Sequence, residues 1–227
     1  MGRLEFKKLS IIFSCIMIFN TENAFSAKDC STEKIVGAIN ASDTLLLKSC
    51  FELKKIDFNT WQTKGDSVLH VAVSSERISV LNFLLKYDLN LKSINKKQQT
   101  ALDVALLSGQ DEASTMLISA YEKQPQKPDL DFLKIKDILF LIAEKNMYLT
   151  LDHIKRYLTK SDLNKKNESG DSALHVAAAN GSVEVIRILL QAGADPQLKN
   201  INNETSLDIA KKLKLKKTIQ ALSKIQK

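Results

Sequence analysis

Residues Gly170–Asn202, GDSALHVAAANGSVEVIRILLQAGADPQLKNIN, form a 33-residue unit that the chain carries twice. The earlier copy opens at Gly65-Asp66-Ser67-Val68-Leu69-His70-Val71-Ala72-Val73, displaced by 105 residues. The same displacement lays Gln99-Thr100-Ala101-Leu102-Asp103-Val104-Ala105 onto Glu204-Thr205-Ser206-Leu207-Asp208-Ile209-Ala210, and Asp57-Phe58-Asn59 onto Asp162-Leu163-Asn164. A period within a period constrains the fold more tightly than composition does. Units of this length cannot bury an apolar face alone, so they stack into an array in which each covers its neighbour.

The residues inside the unit read as two helices joined by a tight turn. Ser172 is placed to cap the first helix, Leu174 faces the core, and Ala177 and Ala178 let neighbouring units approach closely. Gly181 supplies the permissive backbone between the helices, and Val185, Ile186, Leu189 and Leu190 form the apolar stripe of the second, which Gly193 ends. The first copy repeats the stripe with Val80, Leu81, Leu84 and Leu85. There Ser75-Glu76-Arg77 replaces the Asn-Gly-Ser turn, which predicts a looser hairpin. Degenerate units follow each good copy at 98–123 and 203–227, the last a polar cap, and atypical units precede them at 30–64 and 130–169. Two of the chain's three prolines fall in the segment 124–129, read as a linker. The expectation is an all-α solenoid of about six helical hairpins, arranged three plus three as halves 27–123 and 130–227.

These motifs resemble the ankyrin-repeat family, specifically over Gly65–Asp103 and Gly170–Asp208 and more weakly over the rest of residues 30–227. The resemblance implies that His70 and His175, at the Leu-His position, are structural and hydrogen-bond the backbone of the neighbouring loop. It implies a cupped surface whose loop tips are fingers and whose first helices form the palm. Carried over position by position, the partner-binding candidates are Trp61, Lys64, Asp66, Lys96, Lys97, Glu168, Asp171 and Asn202 at the tips. On the first helices they are Ser74, Leu107, Ala179 and Asn180. Trp61, the only tryptophan, stands where the family ordinarily has a polar residue. It is either an exposed anchor, as tryptophan often is at interfaces, or it folds back over Phe58.

The first 26 residues differ from the rest. Arg3, Lys7 and Lys8 precede the apolar run Leu9–Phe19, and Ala24-Phe25-Ser26 supplies small residues at a cleavage site. That pattern is a secretory signal peptide, its apolar run being shorter than the ~20 residues a membrane span requires. With this leader the chain resembles exported ankyrin proteins of Gram-negative bacteria, periplasmic or secreted. Cys15 would leave with the leader; Cys30 and Cys50 remain, as a disulfide in an oxidising compartment or as two unpaired thiols. The formal charge of +7 comes from lysines spread along the whole chain, a pattern of solvated surface rather than of a nucleic-acid patch.

Chemistry is not nominated anywhere. The three histidines are far apart in sequence and His153 has only Asp152 beside it, too few ligands for zinc. There is no Gly-rich phosphate loop and no nucleophile elbow. The sequence therefore predicts no catalytic, metal or cofactor site and no nucleic-acid partner. It predicts no membrane partner once the leader is cleaved. What remains is an exported, monomeric protein that binds another protein on its concave face and tips. That is the reading of a bacterial effector acting on host proteins, or of a periplasmic factor that stabilises an exported enzyme.

Overall fold

The computed structural model describes residues 30–52, 56–124 and 138–223. The leader at 1–26, all of the linker except Gln124 and the last four residues lie outside them. Among the described residues, twelve of the thirteen α-helices form six pairs: α1 (Thr32–Ala41) with α2 (Thr44–Glu52), α3 (Val68–Ser74) with α4 (Ile78–Leu84), and α5 (Ala101–Leu107) with α6 (Asp111–Lys123). Then follow α7 (Ile138–Lys145) with α8 (Tyr148–Ile154), α10 (Ala173–Asn180) with α11 (Val183–Ala192), and α12 (Ser206–Lys212) with α13 (Lys216–Ser223). The one-turn α9 (Lys160–Leu163) lies between the fourth and fifth pairs. The only sheet among the described residues is a two-residue antiparallel ladder, β1 (Gln62–Thr63) with β2 (Asp66–Ser67).

One turn geometry makes all six pairs. Each turn has a residue of positive φ: Ser42, Glu76, Gly109, Asn146, Gly181 and Lys214. After it, the amide of Asp43, Arg77, Gln110, Met147, Ser182 or Leu215 donates to a carbonyl five residues back, at 2.8–3.1 Å. The looser hairpin expected at Ser75-Glu76-Arg77 does not occur: Arg77 N–H reaches the Ala72 carbonyl at 3.1 Å, against 2.9 Å for Ser182 to Ala177. The bond is kept by holding a glutamate, at φ 55°, where the other copy has a glycine at φ 70°.

Four of the first helices, α3, α5, α10 and α12, start alike. Ser67 and Ser172 precede α3 and α10, each with a histidine at the third helical position. The weaker repeats use Thr100 with Asp103 and Thr205 with Asp208, where the aspartate accepts from the threonine amide and hydroxyl. These reciprocal caps satisfy amides that helix geometry leaves without partners.

The pairs stack in two layers. First helices pack in the order α1, α3, α5, α7, α10, α12, and second helices α4, α6, α8, α11 and α13 pack alongside them. A single apolar cluster runs from Ile35 to Leu222. At the front, Cys30 and Cys50 are joined in a disulfide with a Cα separation of 5.8 Å, closing α1 against the end of α2.

The two halves meet where α6 packs on α8, and that joint is polar. Helix α8 has no side-chain cap of its own. Asp111 of α6 caps it instead, accepting from the amides of Leu149 (2.8 Å) and Thr150 (2.7 Å) and from the Thr150 hydroxyl (2.7 Å). Three turns along α6, Glu122 accepts from Arg156 (2.6 Å), Tyr157 (2.7 Å) and His153 (3.1 Å). Burial raises the Glu122 pKa, but the hydrogen bonds from Arg156, Tyr157 and His153 together outweigh it and hold the value at about 2, below the ordinary 4.5. A carboxylate depressed in the folded state stabilises it above its unfolded pKa and loses that contribution as pH falls through the folded one. Replacing Glu122→Gln should therefore lower the thermal midpoint at neutral pH. The gap between the two proteins should begin to close below pH 4.5 and vanish near pH 2; a pH series of thermal melts on both measures it.

Candidate functional site

The fingers are built by backbone devices that leave their side chains free. The first is the β1–β2 hairpin, turned by Lys64 (φ 55°) and Gly65 (φ 98°). The other three close on one asparagine each. The Asn95 side-chain oxygen accepts from the amides of Lys97 (2.9 Å) and Gln99 (3.1 Å). Asn167 does the same for Ser169 and Asp171, and Asn200 for Asn202 and Glu204. Short polar side chains bonding their own backbone two residues on are the usual means of fixing such turns.

Neighbouring fingers are tied together. His70 Nδ1 accepts from the Ser67 amide, which leaves the proton on Nε2 to donate to the Gln99 carbonyl at 2.8 Å. His175 repeats this with Ser172 and the Glu204 carbonyl, at 3.1 Å. Asn59 donates to the Asp88 carbonyl and accepts from the Asn90 amide. At the fourth finger, Ile201 N–H donates to the Ser169 carbonyl. A Cβ on Gly170 would stand 2.9 Å from that same Ile201 nitrogen, so only glycine permits the approach.

On this frame Lys64, Lys96, Lys97, Glu168 and Asn202 are exposed at the tips, and Ser74, Leu107, Ala179 and Asn180 are exposed along the first helices. Leu107 is 53% and Ile201 73% exposed, large apolar groups with no cover. Asp66 and Asp171 are half-buried, and Asp171 accepts from Asn200 at 2.9 Å, so its carboxylate is part of the frame.

Trp61 needs correction. It is 8% exposed and belongs to the core, with Phe58 beneath the same hairpin at 1%. Its register suggested a fingertip, but its amide closes a turn onto Asp57 at 2.8 Å, one residue before β1 begins, and the indole faces inward. The indole N–H has no hydrogen-bond partner among the described residues. The exposed anchor is therefore absent from the first finger.

Sequence reasoning also missed a groove of about 800 Å³ on the second-helix side. It runs along α6, with Met116 and Ala120 on its floor and Leu85, Tyr87, Leu149 and His153 on its walls. Only long-range packing assembles these residues, so no local pattern announces them. Among the described residues, no group of three or more His, Cys, Asp or Glu is placed to hold a metal ion. No described helix is long and apolar enough to cross a membrane.

The family model for ankyrin repeats (3 copies) matches residues 37–129 and 139–226. The mouse B-cell lymphoma 3 protein homolog is 31% identical over 153 residues, covering 65% of this chain and 33% of that protein. A putative ankyrin repeat protein of Rickettsia bellii is 30% identical over 121 residues, covering 42% of this chain and 71% of that one. The chain thus spans about a third of the length of the mouse relative. Among solved structures, a chain in the complex of the Bd0816 predatory endopeptidase from Bdellovibrio bacteriovorus with immunity protein Bd3460 is similar. Its TM-score is 0.57 at 27% identity, with 86% of this chain and 98% of that chain covered.

If Trp61 is a packing residue, Trp61→Ala should lower stability by about 3–5 kcal/mol, whereas Lys64→Ala on the same hairpin should stay within about 0.5 kcal/mol. Denaturant melts measure both. The wild-type tryptophan emission should also be blue-shifted and resistant to acrylamide, and solvent-like emission would contradict the buried placement.

Proposed function

The chain belongs to the ankyrin-repeat family, and on that premise we propose that it is an exported protein that holds a partner protein against its first helices and fingertips. The observation that carries this reading is a division among the side chains. One set, from Ile35 to Leu222, is consumed in stacking, and a second, on the exposed tips and first helices, has no part in it. Specific protein interfaces are assembled from such exposed apolar and polar positions on a rigid frame. The family fold, an interaction module, supports a binding role over an enzymatic one.

The leader sequence supports export, and the Cys30–Cys50 bond suits an oxidising compartment. For the partner, we favour an exported enzyme that this protein stabilises or restrains. A similar chain is found in a complex of an endopeptidase with its immunity protein, and nearly the whole of that chain is matched. The alternative, an effector acting on host proteins, differs in where the partner resides.

The test is capture by the mature chain, whose intact mass should correspond to a start at Ala27. From periplasmic extract it should retain one enzyme. A variant with Ser74→Arg and Ala179→Arg should lose it by about 30-fold in affinity with its thermal midpoint unchanged. Retention from host lysate alone would favour the effector, and capture indifferent to the two arginines would remove the binding face from the first helices.

A further inference from the structure

The two halves share fingertip positions and differ in fingertip chemistry. Under the displacement of 105 residues, Asn95 corresponds to Asn200 and Gln98 (φ 60°) to Asn203 (φ 62°), and these fingers make the same turn, while Gly65 corresponds to Gly170 in fingers that are turned differently. At the positions these turns leave free, the first half has Lys64, Lys92, Lys96 and Lys97. The second half has Ser169, Gln197, Ile201 and Asn202. In the opposite sense, Thr63 and Gln99 become Glu168 and Glu204. Residues 62–66 and 92–99 thus set four lysines against Asp66 alone, whereas 167–171 and 197–204 set Lys199 against Glu168, Asp171 and Glu204.

The four lysines are exposed and make no ion pair among the described residues. In the second half, Lys166 donates to the Lys199 carbonyl, and Glu204 is paired with Lys212 at 2.8 Å. In the first half, a Cβ on Gly65 would lie 2.6 Å from Lys96 Cγ, so the Lys96 stem lies against Gly65 of the first finger. Ile94, half exposed between Lys92 and Lys96, adds an apolar contact.

This chemistry fits carboxylates on a protein better than phosphates. The tip amides that would cradle a phosphate, those of Lys97 and Gln99, are already bonded to Asn95. No arginine stands in these fingers to grip a phosphate with a bidentate fork.

We propose that the first-half fingertips dock an acidic element of the partner protein on Lys64, Lys92, Lys96 and Lys97, a role that the second-half fingertips do not share. This rests on the protein-binding reading above and gives that partner a polarity.

The probe is a fluorescent polyglutamate peptide, its anisotropy followed with the full mature chain. Binding should weaken at least about tenfold between roughly 50 and 500 mM salt. The triple variant Lys64→Glu, Lys96→Glu, Lys97→Glu should lose at least about tenfold in affinity, while Ser169→Glu, Ile201→Glu, Asn202→Glu should stay within about twofold. Equal losses in both variants, or tighter binding to phosphatidylglycerol vesicles or duplex DNA than to polyglutamate, would overturn the assignment. Failure here with partner capture still sensitive to the Ser74 and Ala179 substitutions would leave the binding role intact. Loss of that sensitivity strikes the binding role itself.

Discussion

An isolated helical pair in this chain would leave an apolar face uncovered, and the structure depends on each pair covering the next. Leu174, Ala177 and Ala178 of α10 are buried because α7 and α12 lie on either side of it. The small alanines set how closely the helices approach, and burial of the larger Val185, Ile186 and Leu189 behind them supplies the hydrophobic gain, about 1.5–3 kcal/mol per side chain. Everything else serves this stacking. Six turns of one geometry hold the pairs, reciprocal caps start four of the first helices, and one histidine per good repeat locks a finger to the next.

The array has one place where stacking alone does not explain continuity. Between Gln124 and Ile138 the repeat pattern lapses, yet α6 and α8 pack as second helices do elsewhere. Asp111 and Glu122 account for the difference: one carboxylate caps α8, and the other gathers His153, Arg156 and Tyr157. Charge-assisted bonds are directional, so they fix the register of the second half on the first more sharply than apolar contact can. A partner spanning both halves therefore meets one surface.

What could be read in the sequence divides along the same line. Periodic positions were legible: the six pairs and the stripe residues follow from spacing that repeats, and the family resemblance implied the structural histidines. A cysteine pair at opposite ends of one predicted hairpin also pointed to its own geometry. Trp61 was legible only as an alternative: its register names a tip, the sequence left open whether it is exposed there or folds back over Phe58, and the structure buries it in the core. Neither Asp111 nor Glu122 was singled out, since their partners lie 31 to 39 residues away in an atypical unit. The groove along α6 was missed for the same reason. Local periodicity reports what a unit does to itself and to an identical neighbour, and it is silent where unlike units meet.

The claim that the halves form one body is tested most directly by hydrogen exchange at the amides of Leu149 and Thr150. Both lie in the first turn of α8, where a helix offers its amides no internal partner, and only Asp111 of the other half protects them. The account predicts slow exchange at both amides in the wild type and fast exchange in Asp111→Ala, with the amides of α3 and α10 unchanged. Fast exchange at Leu149 and Thr150 in the wild type would contradict it, leaving two independently moving halves.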